Sequence, residues 1–126
     1  MFQQDYIMRL IHQMVRAILK LLFNIDTESP SVQLLEDAES KEVAEDLLEI
    51  IDSGNINQAE NKLYELIENK TKENLLIGLV FYSYLNEKDE DYLIANDFSR
   101  DEIKDGVKHL VSEYGVEGVA DLFFYD

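Results

Sequence analysis

The sequence predicts an all-α fold: a single-domain bundle of about six to eight helices in antiparallel hairpins. Three observations carry this. The 126 residues include one Pro, five Gly and no Trp, and Leu, Ile, Glu, Lys and Ala recur throughout, which is a helix-forming composition. Apolar residues return at i, i+3/i+4 and i+7 along several stretches, while the alternating Val/Ile/Thr runs that strands need are missing. Gly, Pro and capping residues fall between those stretches, where helices would begin and end.

Taken in order, "DYIMRLIHQMVRAILKLLFNI" (5–25) lies in a long N-terminal helix over 1–24. Ser29 before Pro30 has the form of an N-cap followed by Pro at the first helical position, so a short helix or loop runs on to Ser40. A helix over 41–52 carries Val43, Leu47, Ile50 and Ile51 on one face. "SGN" (53–55) stops it, and a second helix over 56–69 carries Ile56, Ala59, Leu63, Leu66 and Ile67. Two such helices joined by a short turn form an antiparallel hairpin over 41–69. "NLLIGLVFYSYL" (74–85) is apolar on nearly every side and is therefore a buried helix. "NEKDEDYL" returns to solvent as a short helical segment ending at Ala95. Ser99 and Glu102 then form a capping box for a helix with Ile103, Val107, Leu110, Val111 and Tyr114 as its stripe and Gly115 as its stop. A last helix over 116–124 carries Val119, Leu122, Phe123 and Phe124. No linker divides 1–126, and 74–125 reads as the C-terminal helical part of one domain.

Charge narrows the function. Residues 1–24 hold three basic residues (Arg9, Arg16, Lys20) against Asp5, a balance of +2; the other 102 residues hold 8 basic and 26 acidic, a balance of −18. Such a surface repels phosphate backbones, which speaks against nucleic acid, and it attracts basic partners. Cysteine is absent, which excludes disulfides, thiolate catalysis and Cys-based metal sites and suits a reducing, cytoplasmic setting. No basic n-region precedes Arg9 and no small-residue cleavage site follows the apolar stretch, so a signal peptide is not expected. A membrane span is not expected either, because Arg9, His12, Arg16 and Lys20 interrupt the stretch within one bilayer thickness.

On a helical wheel Asp5, Arg9, His12, Gln13, Arg16 and Lys20 fall within about 100°. Apolar residues occupy the rest. A membrane-surface helix carries a broader polar face, so this helix expects protein on most sides. A homodimer contact is the favoured neighbour, with burial inside the monomer, a foreign partner or a membrane as the others. Arg9, Met14, Arg16, Ile18, Lys20 and Leu22 are the candidate interaction residues.

Signals for chemistry are thin. His12 and His109 stand alone, without metal-motif spacing; Glu113 at i+4 from His109 is a common helix-surface pair. "DEDYLIAND" is acidic like a calcium loop, but counting from Asp89 puts Leu93 and Ile94 where a ligand and a Gly are required. Glu36/Asp37/Glu39 and Glu45/Asp46/Glu49 read as solvated helix faces. The glycines form no phosphate-binding loop and no nucleophile elbow. The aromatic run with Phe81 suggests a candidate groove of Tyr82, Tyr84 and Tyr92. No catalytic, metal or cofactor residue is assigned.

Two resemblances follow from these residues. "GNINQAENKLYEL" resembles the turn and second helix of a tetratricopeptide repeat, with Gly54 at the turn, Ala59 at the close-contact position, and Leu63 and Leu66 at the packing positions. The preceding helix departs from that pattern at Val43, Asp46, Leu47 and Ile50, and no second copy follows 34 residues on. More broadly, "QDYIMRLIHQMVRAILKLLFNI", "GNINQAENKLYE", "FYSYLNEK" and "DFSRDEIKDGV" together resemble a family of small bacterial all-helical proteins of unknown function. That resemblance spans nearly the whole chain and implies a fold without an activity. The expected function is a non-enzymatic interaction or scaffold protein with a basic or apolar protein partner and possible self-association. A small-molecule-binding or enzymatic protein with an aromatic-lined pocket, and a peripheral membrane protein, are the alternatives.

Overall fold

The computed structural model describes residues 2–115; the helix expected over 116–124 lies outside the described residues. Within them the elements are α1 (Phe2–Phe23), a 3-10 turn (Val32–Leu34), α2 (Ala38–Asp52), α3 (Ile56–Leu66), α4 (Lys72–Asn86), α5 (Glu90–Ala95) and α6 (Arg100–Glu113), with no strand among the described residues. The architecture is the expected all-α bundle.

Local capping sets the boundaries. The Ser29–Pro30 start does not form: the Ser29 N–H is bound to Thr27 Oγ1 at 3.2 Å, and Ser31 instead caps the 3-10 turn, accepting from the Gln33 N–H. Helix α2 begins at Ala38 rather than residue 41 because Asp37 caps it, accepting from the Glu39 N–H and the Ser40 hydroxyl. Helix α3 closes at Leu66 rather than residue 69, and the Asn74 side-chain amide donates to the carbonyls of Leu66 and Asn69, which also accept from the Asn69 and Thr71 N–H groups. Thr71 caps α4, and Ser99 caps α6 by accepting from the Glu102 N–H at 3.2 Å.

Helix α4 is the centre. Twelve of its 15 residues are buried, and α1, α2 and α6 pack around it, as a helix without a polar face requires. The core from α1 is Ile7, Ile11, Met14, Val15, Ile18 and Leu19. Helix α6 supplies Ile103, Val107, Leu110 and Val111. Tyr82 is 0% exposed, and its hydroxyl donates to Glu60 Oε2 of α3 at 2.6 Å. Burial first, then the Glu60 carboxylate, push the Tyr82 pKa far above its ordinary value, so the phenol stays a donor. The ring lies against the backbone of α6 at Gly106, where a Cβ would come within 2.5 Å of it.

A polar knot ties the ends of α1, α4 and α6. Arg100, 4% exposed, donates to the backbone carbonyls of Asn86 (2.8 Å) and Lys88 (3.0 Å). Asn86 in turn donates from its side chain to the Met8 carbonyl of α1 at 3.0 Å. The guanidinium thus stands in for the N–H groups that the C-terminus of α4 has run out of. Burial pushes the Arg100 pKa down, against Glu90, Asp5, Asp89 and Glu87, which favour its charge.

A second polar cluster joins α2, α4 and α5. Asp52 accepts from Lys88 Nζ at 2.7 Å and from the Tyr84 hydroxyl, Lys88 lies over the rings of Tyr84 and Tyr92 at 4.8 and 5.0 Å, and the Tyr92 hydroxyl donates to the Ile51 carbonyl. Burial alone would raise the Asp52 pKa, but the hydrogen bonds from Lys88 and Tyr84 and the Lys88 charge outweigh it and hold the carboxyl below its ordinary 3.8. A lowered carboxylate adds stability that is present above its unfolded pKa and lost as pH falls through its folded value. Asp52 is half exposed, so screening limits the effect to ~0.5 kcal/mol. The stability gap between the parent chain and Asp52→Asn in urea titrations is therefore constant near neutrality and shrinks below pH about 4. The gap is the quantity to follow, since protonating other carboxylates also relieves the repulsion of a chain at −16.

Candidate interaction groove

Helices α2 and α3 form the hairpin expected over 41–69, and a tight turn fixes their angle. Gly54 has φ +90°, and the Gly54 and Asn55 N–H groups donate back to Ile51 and Ile50, the pattern of a Schellman stop. The left-handed backbone favours Gly there, and a Cβ would also displace the Asn96 side chain, 2.6 Å from its Oδ1. Asn57 also reaches across to the Asp97 carbonyl at 3.2 Å, which anchors the turn on the segment between α5 and α6.

The hairpin's apolar stripes are wider than the core covers. Ala44, Leu47 and Ile51 of α2 and Ile56, Ala59 and Leu63 of α3 are buried, whereas Val43, Ile50 and Leu66 are only half-buried. These three residues, placed by the sequence on buried faces, instead line an open groove of about 420 Å³. Its walls are Val43, Asp46, Leu47 and Ile50 of α2 and Lys62, Glu65 and Leu66 of α3. Asp46 and Glu65 are exposed at its edges. Glu39, Glu42 and Glu49, exposed as well, lie one turn from Val43 and Asp46 on α2. The groove therefore has an apolar floor and acidic banks, with Lys62 as its single cationic lining residue.

The residues singled out from the sequence are distributed differently. Met14 and Ile18 are 0% and 1% exposed and belong to the core. Leu22 is half-buried against that core. Arg16 pairs with Asp26 at 3.2 Å and Glu28 at 3.9 Å. Arg9 and Lys20 are exposed, and among the described residues neither has an ion-pair partner. Leu21 is 66% and Tyr6 56% exposed beside them. The three candidate groove tyrosines do not share a groove. Residues i and i+2 of a helix point to different sides, so Tyr82 meets Glu60 and Gly106, while Tyr84 joins Tyr92 at Asp52 and Lys88.

Two further cavities flank α4. One of about 440 Å³ lies between Phe23, Ile25 and Leu34 on one side and Lys72 and Leu76 on the other, and one of about 250 Å³ lies beside Arg100 among Asp5, Glu87, Asp89 and Glu90. His109 packs edge-on against Tyr64 and lies 3.7 Å from Glu113. Among the described residues no group of three or more His, Asp and Glu is arranged to hold a metal ion, and no helix is long and apolar enough to cross a membrane.

The sequence holds only a faint signal of the groove residues. Beyond their buried stripes the hairpin helices carry three large apolar lining positions, Val43 and Ile50 on α2 and Leu66 on α3, with Asp46 and Glu65 beside them. Acidic residues are so frequent that this pair gave no signal by itself.

Residues 1–115 match the family of unknown function DUF6483, and the chain belongs to that family. No curated protein and no solved structure matches the chain.

Proposed function

We propose that this protein is a non-enzymatic interaction module and that the α2–α3 groove takes an apolar, basic segment of a protein partner. The observation that carries the reading is the combination within one groove of a half-buried apolar floor (Val43, Ile50, Leu66) and acidic edges (Asp46, Glu65). The floor offers the burial that gives affinity, and the acidic banks draw a basic segment in and set its orientation. An amphipathic helix laid between α2 and α3 would cover the floor with one face and meet the banks with Lys or Arg. The single tetratricopeptide-like hairpin supplies one such groove, in contrast to the continuous concave surface of a repeat array. A cytoplasmic setting suits a chain without cysteine.

The test is fluorescence anisotropy with a panel of basic amphipathic helical peptides. Binding is expected to weaken with added salt and to fall at least about tenfold in the Asp46→Lys, Glu65→Lys variant, since like charges at an interface are strongly unfavourable. If no peptide of the panel binds, or if the reversed groove binds as well as the parent, the groove is not the binding site.

A further inference from the structure

The core covers only part of α1. Its buried side chains, from Met14 through Ile11 to Leu19, occupy an arc of about 140° on the wheel. Beside that arc lies a strip turned outward, with exposed Tyr6 and Leu21 at its two ends and half-buried Leu10 and Ala17 between them. Along one edge of the strip lie Arg9 and Lys20, the two cations of α1 without an ion-pair partner among the described residues, and along the other lies the buried Met14. It is an apolar ridge with one basic edge, about 22 Å long at 1.5 Å per residue.

That is the chemistry the α2–α3 groove lacks. Helix α1 packs on α4 and α6, whereas α2 packs on α4 and α3, so ridge and groove belong to separate parts of one chain. A second copy can bring them together. We propose that the occupant of the groove is the outward strip of α1 from another molecule of this protein, Leu21 and Leu10 facing Val43, Ile50 and Leu66 while Arg9 and Lys20, on one edge of the strip, face acidic groove-side carboxylates. The proposal rests on the groove reading above and names its partner. Two such contacts related by a two-fold axis close a dimer in which each copy gives a ridge and receives one.

Charge exchange tests this directly. A ridge-reversed variant carries Arg9→Glu and Lys20→Glu; a groove-reversed variant carries Asp46→Lys and Glu65→Lys; all four positions are exposed. By light scattering at tens of micromolar the parent chain is expected to dimerise, less so with added salt, and each variant alone to be monomeric. An equimolar mixture of the two variants should dimerise again, because acidic ridge then meets basic groove and parent ridge meets parent groove. A mixture that stays monomeric, or variants that dimerise like the parent, overturns the proposal. A parent chain that is monomeric throughout also overturns it, including one that floats with anionic vesicles instead. If that monomer still binds basic peptides in the groove, only the occupant is wrong and the groove reading stands. Should a charge variant fail to fold, single cysteines in the otherwise cysteine-free chain decide the matter. Leu21→Cys mixed with Glu65→Cys should give the mixed disulfide as the main product, whereas a main product joining two Leu21→Cys chains would place α1 against α1 and overturn the proposal.

Discussion

Replacing Arg100 with alanine is expected to lower the stability of the chain by about 3 kcal/mol. Its guanidinium is 4% exposed and holds the carbonyls of Asn86 and Lys88, acceptors that would otherwise be left at the end of α4 without a donor. Asn86 is held in place by the same side chain and reaches on to Met8 of α1, so the loss should spread to the packing of α1. Nearby Asp5, Glu87, Asp89 and Glu90 would also lose the one guanidinium that offsets their repulsion. Urea unfolding followed by circular dichroism checks the magnitude. Arg100→Lys separates the two contributions: an ammonium restores the charge but is a point donor that cannot span both carbonyls in a planar fork. It should recover less than half of the loss. Full recovery by lysine would mean that charge, and not the bridging of the α4 carbonyls, is what Arg100 contributes.

The second large effect is at Gly106. On an exposed helix Gly→Ala stabilises by roughly 0.5–1 kcal/mol through the entropy of the unfolded chain. Here the added Cβ would meet Tyr82 Cε1 and Cζ at 2.5 Å and its hydroxyl oxygen at 2.6 Å. The ring cannot yield easily, because it is 0% exposed and bound through its hydroxyl to Glu60. Gly106→Ala should therefore destabilise by about 2 kcal/mol, the usual scale for overpacking a filled core. A double-mutant cycle gives the decisive sign. In a Tyr82→Leu background the clash is gone, and the same Gly106→Ala change should become neutral or mildly stabilising. If the change is equally harmful in both backgrounds, the Tyr82 contact is not its cause.

These two residues show where sequence reading stops. Arg100 is the first residue of α6, a position that is ordinarily solvated and where the helix dipole disfavours a cation. Nothing in its neighbours announces that it is buried against the end of a helix 14 residues earlier. Gly106 sits inside an evident helical pattern, and the spacing of Ile103, Val107 and Leu110 gives no hint that Tyr82 lies across from it. The sequence places Tyr82 in a candidate groove with Tyr84 and Tyr92, because its partner Glu60 is 22 residues away and is one acidic residue among many. The candidate groove suffered the same way, since a stripe of apolar residues says that something covers it and not how far the cover extends.

What the sequence determined by itself, within residues 2–115, is the set of helices and some of their ends. Ser99 as a cap, Gly54 as a stop, and the all-round apolar character of 74–85 are readable from local order, whereas the caps at Asp37 and Thr71 emerged with the structure. It also determined that α1 is a packing helix, because so many large apolar side chains cannot stay in water. Tertiary structure alone decided which arc of α1 the core covers and which ridge it leaves. It alone decided that Val43, Ile50 and Leu66 line a groove, and that Arg100 closes the end of α4. Periodicity fixes the phase of an amphipathic face, but the width of cover over that face depends on which helix arrives against it and at what angle. Those depend on long-range contacts, in which residues far apart in the chain act on one another.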